Sequence, residues 1–388
     1  MRRPTIHGTL AGSSPLYLSV GRAVGVVAAL ALLGCDRGVQ PLAPASPTPV
    51  ASKAQSAGIG SYTVYASGLS NPRGLKFDSD GNLYVAEAGA GGSTSTFGQC
   101  AQVPSPPGPN LGGNSAQITK ISPAMVKSTL VAGLPSSING LGFVSGVSGL
   151  EFMNGSLYAI IDGAGCSHGH TDVPNEIIRV NTSSGAYVPI ANLSAFYQFH
   201  PTLNPEPDDF EADGTPYSMV GVRGDLYVVE PNHGSLDRVS LNGEITRVSD
   251  ISAQFGHIVP TTVSYHGNFF VGNLNTFGVV PGSSQIIKIT PSGQMKTWVT
   301  GLTAVLGSAW DERGRLYVLE TTTAPGNPAP MTGKVVRVDP SGETTVITDG
   351  LLFPTAMTMG PDGNLYVSNV GFGPPPVGLG QVLKIQLN

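Results

Sequence analysis

Apolar positions in this chain gather in short runs bounded by polar and turn residues, and one such run occurs six times behind a glycine. The copies are Gly81-Asn82-Leu83-Tyr84-Val85-Ala86-Glu87, Gly155-Ser156-Leu157-Tyr158-Ala159, Gly224-Asp225-Leu226-Tyr227-Val228-Val229-Glu230, Gly267-Asn268-Phe269-Phe270-Val271-Gly272-Asn273, Gly314-Arg315-Leu316-Tyr317-Val318-Leu319-Glu320 and Gly363-Asn364-Leu365-Tyr366-Val367-Ser368-Asn369. An apolar-rich run behind Asp80-Gly81, Asn154-Gly155 or Asp362-Gly363 is that of a strand leaving a tight turn. Recurrence at this spacing marks a repeat architecture of six units.

Each unit reads as four strands. In the first they are Arg73 to Phe77, Leu83 to Glu87, Gln117 to Ile121 and Thr129 to Leu134. Third strands recur as Glu176 to Val180, Leu236 to Val239, Gln285 to Ile289, Lys334 to Val338 and Gln381 to Ile385, with Lys, Arg or Asp set between apolar neighbours. Fourth strands recur as Tyr187 to Leu193, Ile245 to Ile251, Met295 to Leu302 and Thr344 to Leu351. The last unit stops after its third strand, and Tyr62 to Leu69, which matches Thr344 to Leu351 in pattern, stands ready to supply the fourth. Chain ends meeting in one unit close a ring, so the expected fold is an all-β, six-bladed β-propeller. Small residues at one position of the first strands (Gly74, Gly149, Ser218, Thr262, Gly307, Ala356) fit blades converging on an axis. The Leu-Tyr-Val triplets read as core between blades.

Composition agrees with an all-β reading: charged residues are 12% of 388, while Gly 52 and Pro 32 suit many tight turns. The amino terminus is different in kind. Arg2, Arg3 and Arg22 precede an apolar run from Ala23 to Leu33, long enough for a signal-peptide core and short for a bilayer span. Leu32-Leu33-Gly34-Cys35 resembles a bacterial lipobox, so residues 1–34 are expected to be a signal peptide and Cys35 the lipidated first residue of an exported lipoprotein. Residues 35–60, rich in Pro, Ala, Ser and Gln, form the expected tether, and residues 61–388 the propeller. Without residues 1–34 the chain carries seventeen basic and twenty-five acidic side chains, net −8, which offers nothing to nucleic acid. Cys100 and Cys166 remain as an even pair in adjacent blades, on loops of one face, and a disulfide between them is expected.

Asn71-Pro72-Arg73-Gly74-Leu75 through Gly81 to Gly89, Pro216-Tyr217 before Leu226-Tyr227-Val228-Val229, and Phe353-Pro354-Thr355 before Leu365 to Asn369 resemble the ScyD/ScyE family of exported, NHL-like six-bladed propellers. The resemblance spans about Ser61 to Asn388, with Thr215 where the family has Asn, and implies a fold and an exported location without catalytic residues.

The long loops all belong to one face: Ala88 to Ala116, Asp162 to Asn175, Ser194 to Thr215, Leu274 to Ser284, Thr321 to Gly333 and Val370 to Gly380. A site is expected there. Candidate ligand-binding residues are Glu87, Glu230, His233, Asn273, Glu320 and Asn369 at or near the ends of second strands, with Asp162 in the second blade; Glu87, Glu230, His233 and Glu320 are the candidate divalent-metal ligands. His168, His170, His200 and His257 fall on the same face, beside Glu206, Asp208, Asp209, Glu211 and Asp213. Metal-binding propeller lactonases place ligands at the starts of innermost strands, where this chain has Asn71, Gly146, Thr215, Val259, Val305 and Phe353, too few donors for that chemistry. Two readings follow: an envelope-anchored propeller that binds a small molecule or protein on its loop-rich face, or a metal-dependent hydrolase or lyase with its site at the channel mouth.

Overall fold

The computed structural model describes residues 60–371 and 378–387. The expected signal peptide, the expected lipidation site Cys35 and almost all of the expected tether lie outside these residues. Six antiparallel sheets succeed one another along the chain and form a six-bladed β-propeller. Blade one begins with Pro72–Phe77, blade two with Val147–Met153, blade three with Ser218–Val222, blade four with Pro260–Tyr265, blade five with Val305–Trp310 and blade six with Ala356–Met359. The ring closes as the pattern requires: Tyr62–Leu69 pairs with Gly380–Ile385, Tyr62 opposite Ile385 and Leu69 opposite Gly380. The glycine that opens each second strand has positive φ, between 71° and 95°. This left-handed turn conformation is open to Gly without steric penalty.

Six apolar clusters fill the six interfaces between neighbouring blades. The first joins Tyr84 and Ala86 to Val147, Leu150 and Leu157, and the last joins Leu75, Leu83 and Val85 to Leu69, Tyr366 and Val382. Leu83, Leu157, Leu226, Leu316 and Leu365 are fully buried. Near the axis the blades leave no room for bulk, since a Cβ on Gly74 would stand 2.7 Å from the Ser148 carbonyl oxygen.

Two features depart from the strand pattern. Blade one has long outer strands, Leu111–Ile121 and Lys127–Ile138, paired from Leu111 opposite Ile138 to Ile121 opposite Lys127, and a fifth strand, Val144–Ser145. The sequence pattern places Leu111 to Ala116 in a loop, because Gly112-Gly113 and Asn114 lack strand propensity. Those glycines are needed for close approach: a Cβ on Gly112 would fall 2.6 Å from the Gly169 carbonyl oxygen, and one on Gly113 would fall 2.5 Å from the Gly91 carbonyl oxygen and 2.7 Å from Gly92 Cα. The second departure is a short helix after the fourth strands of blades two and three, Leu193–Phe199 and Ile251–Phe255. Asn192 and Asp250 cap them, accepting from the N–H groups of Ala195 and Ala253.

Candidate binding site on the loop-bearing face

The residues at the ends of the second strands perform one repeated task. Each turns to the segment that leads into the innermost strand of its own blade. Ser70 N–H donates to Glu87 (2.6 Å), Gly146 to Asp162 (2.7 Å), Thr215 to Glu230 (2.8 Å), Thr303 to Glu320 (2.7 Å) and Leu352 to Asn369 (3.0 Å), while Asn273 donates to the Ile258 carbonyl (3.0 Å). In four blades the next residue has positive φ without being glycine: Asn71, Val259, Ala304 and Phe353. The latch holds an entry turn that the local chain would not choose on its own.

Two of the carboxylates, Glu87 and Glu230, have partners at both oxygens. Glu87 also accepts from Gln117 (2.9 Å) and Thr119. Glu230 accepts further N–H groups from Asn232 (3.0 Å) and His233 (2.5 Å) and sits 3.2 Å from His233 Nδ1; these contacts outweigh burial and hold its pKa below the usual range. Glu320 faces the Lys334 ammonium at 2.8 Å. His233 is buried, stacked on Tyr197 and edge-on to Phe210. Among the described residues no group of three or more His, Cys, Asp or Glu side chains is placed to hold a metal ion.

The neighbouring acidic segment does converge on open space. Glu206, Asp208, Asp209 and Glu211 line a cavity of about 360 Å³, walled by apolar side chains that include Leu141, Phe143, Val259 and Phe277. Its roof comes from opposite blades. The turn between the fourth and fifth strands of blade one, where Asn139 N–H donates to the Phe143 carbonyl (3.0 Å), carries the Phe143 ring to within 6.1 Å of that of Phe277 in blade four. Asn232, absent from the candidates, organises the acidic segment: its Oδ1 accepts from Glu211 N–H (2.9 Å), its Nδ2 donates to the Asp209 carbonyl (2.6 Å), and its own carbonyl accepts from Glu206 N–H (2.8 Å). An Asn three residues before a helix or turn would be a signal; one that acts on a loop twenty-odd residues away leaves none.

The electrostatics divide the carboxyls. Burial and the charges of Glu211 and Glu206 push Asp209 up to about 7. For Glu206, burial is outweighed by its pairing with His257 and by the Asp208 N–H (3.0 Å), so its carboxyl stays below the usual range. Behind the cavity, His168 Nε2 lies 3.0 Å from Glu211; although burial opposes the charge, Glu211, Asp213 and Asp162 raise His168 to about 9. Asp213 in turn accepts from the hydroxyl and N–H of Ser167 (2.7 and 2.8 Å). His170 stands apart against the Ser136 carbonyl, and His200 against that of Phe196.

The Cys100–Cys166 disulfide is formed, with Cα atoms 6.2 Å apart. It ties the long loop of blade one to the start of the blade-two loop that carries His168, and Thr96 Oγ1 reinforces it with a bond to the Cys166 carbonyl (2.5 Å).

No family model matches the chain, and no curated protein matches it. Solved structures do share the fold. A Thermus thermophilus protein assigned as an oxidoreductase (glucose dehydrogenase) aligns at TM-score 0.54 and 17% identity, over 84% of this chain and 100% of that one. A Bacteroides thetaiotaomicron protein of unknown function aligns at 0.52 and 13%, over 84% and 72%. A gluconolactonase of Xanthomonas campestris aligns at 0.50 and 10%, over 84% and 90%. At such identities the likeness is one of fold.

Proposed function

We propose that this chain is a ligand-binding propeller whose site is the acidic cavity of the loop-bearing face, and that its ligand is a small organic cation. The observation that carries the reading is the convergence of four carboxyl groups from one segment on a cavity with apolar and aromatic walls. His257, the basic side chain among the lining residues, is already paired with Glu206, and His168 with Glu211, so the cavity's surplus of negative charge rests on Asp208 and, above about pH 7, on Asp209. A substituted ammonium uses both the charge and the aromatic walls. Titration calorimetry with phenethylamine and tetramethylammonium tests it. Saturable binding that falls at least roughly tenfold in an Asp208→Asn, Asp209→Asn double variant is the expected result, since a charge-assisted contact is worth about 1.5–3 kcal/mol. Equal binding of benzoate would overturn it.

One observation supports a second reading, a hydrolase or lyase working by acid–base chemistry. A carboxyl that holds its proton to about pH 7 and another kept ionised line the same cavity, the arrangement that supplies a proton donor and a base. That solved propellers of this fold include a gluconolactonase makes lactones the first substrates to try. Turnover lost in both Asp209→Asn and Glu206→Gln would favour this reading over binding alone.

Membership of the ScyD/ScyE family and export as a lipoprotein belong to the same proposal. The order of Asn71-Pro72-Arg73, Pro216-Tyr217 and Phe353-Pro354-Thr355 supports the first. A disulfide on the loop face supports an oxidising compartment. Labelling of the wild-type chain by a fatty-acid analogue, absent from Cys35→Ser, is the expected result for a membrane anchor at that residue.

A further inference from the structure

A second cavity, of about 360 Å³, runs along the ring axis and is lined by the innermost strands of all six blades. Tyr217 of blade three closes it towards the loop-bearing face: its hydroxyl donates to the Thr355 carbonyl of blade six, the blade opposite, at 3.1 Å. Lys76, Tyr265, Trp310 and Met359, at the far ends of their strands, line the other end. The space is therefore a cup that opens at the tight-turn face, separate from the acidic cavity.

Convergence of blades explains why the lining is small but not why it is polar in this pattern. One wall, from blades one and two, carries a closed ion pair, Lys76 Nζ to Glu151 Oε2 at 2.8 Å. The opposite wall, from blades four and five, carries a chain of hydroxyls: Thr262 Oγ1 lies 3.0 Å from Ser308 Oγ, which donates to Ser264 Oγ at 3.1 Å. Lys76 and Glu151 are the charged residues of the lining, and they neutralise each other. A charged guest would enter uncompensated and lose its hydration, whereas a guest with hydroxyls on two edges exchanges water bonds for bonds to both walls. Trp310 and Tyr265 add aromatic faces.

We infer that this axial cup is a binding site for a small neutral polyhydroxylated molecule, a monosaccharide or linear polyol, held between the Lys76–Glu151 pair and the Ser264–Ser308–Thr262 hydroxyls. The site is independent of the acidic cavity and of any activity there.

The chain supplies its own reporter. It has two tryptophans, Trp298 and Trp310, stacked with ring centroids 6.0 Å apart, and Trp310 lines the cup. Intrinsic fluorescence of the full chain, titrated with glucose, sorbitol and inositol, should show a saturable change with at least one of them. Glu151→Gln should weaken that binding roughly tenfold, and Ser308→Ala by less, given about 1.5–3 kcal/mol for a bond to a charged group and about 1 for a neutral one. Asp208→Asn in the other cavity should leave the titration unchanged. A second variant, Ala309→Leu, adds bulk where the blade-five wall of the cup meets the core between blades five and six, without removing a polar partner; a folded Ala309→Leu protein, checked by circular dichroism, should show no saturable change. Absence of a saturable response to every sugar and polyol overturns the inference. So does tighter binding of glucuronate or glucosamine than of glucose, or wild-type titration by folded Ala309→Leu.

Discussion

On the tight-turn face blades one and five solve one local problem in the same local way, while blades two and three close a tighter turn, with Met153 opposite Ser156 and Val222 opposite Asp225. Asp78 accepts from Asp80 and Asn82 N–H (3.0 and 2.8 Å), Asp311 from Arg313 and Arg315 N–H (3.0 and 2.8 Å), and the tyrosine of the following strand, Tyr84 or Tyr317, donates to the same carboxylate. Blade six has Gly360 in place of that Asp and reaches its tyrosine with Asp362 instead, whose carboxyl, despite burial, Lys384 and Asn364 hold down at about 2. The loop-bearing face has no such repetition beyond the second-strand latches. There Asn232 holds a segment from the preceding connection, and Phe143 meets Phe277 from across the ring. The contrast shows where function can be built: these turns are closed by partners a few residues away, whereas loops held by distant partners can be changed one blade at a time.

If that division is right, damage to the latches should exceed damage to the turns. Glu230→Ala orphans the buried N–H groups of Thr215, Asn232 and His233, each worth about 1–3 kcal/mol, so a loss of at least about 3 kcal/mol is expected in urea unfolding. A loss no larger than that of a surface substitution would show that the latch is decoration. Next in size is the disulfide. Cys100→Ser with Cys166→Ser should remove about 2–4 kcal/mol, and because the bridge spans only the loops of blades one and two, hydrogen exchange should quicken there and hardly at all in the turns of blades four to six. On the other face, Asp78→Ala removes bonds that are partly exposed to water, and about 1–2 kcal/mol is the expected cost.

The same division decides what is legible in the sequence. Turn glycines, apolar strand runs and the offset of Tyr62 to Leu69 are local signals, and each corresponds to a feature of the structure. The Cys100–Cys166 bridge can be inferred because two blades fix where their loops lie. The carboxylate ring illustrates the limit: Glu87, Glu230 and Glu320 do stand at equivalent places on one face, but which way a side chain turns depends on the N–H groups of Ser70, Thr215 and Thr303, and no alternation pattern records them. The cavity of Glu206 to Glu211 is harder still, since it exists only once the turn after the blade-one hairpin reaches across the face. The length of that hairpin is hidden by Gly112-Gly113, whose weak strand propensity is overridden by contact with Gly92.

The smallest expected effect is also the most direct probe of the loop face, and it turns on the sign of one titration. Asp209 keeps its proton to about pH 7 in the folded chain because burial and the charges of Glu211 and Glu206 oppose ionisation, and its Oδ1 is sealed without a hydrogen-bond partner. In the unfolded chain it releases that proton near its ordinary value of 3.8. Between those limits the folded state binds more protons than the unfolded state, so the contribution of Asp209 is fully present below about pH 4 and is lost as pH rises to about 7. Asp209→Asn does not titrate. Its stability relative to the parent should therefore be lowest near pH 4, rise through the interval and level off above about pH 7. Because the group is partly exposed, solvent screening should reduce the gain to about 1 kcal/mol. Urea midpoints of the two proteins at about pH 4 and about pH 8 provide the check, and Asp78→Asn on the tight-turn face supplies the contrast: its carboxylate, although burial pushes it up, is held below the usual range by Asn82 and Tyr84, so its contribution is lost only below about pH 4 and that substitution should weaken the protein by nearly the same amount at both pH values. Parallel midpoints for Asp209→Asn and parent at both pH values would mean that the acidic segment is open to water, and the cavity would lose its claim to a specific ligand.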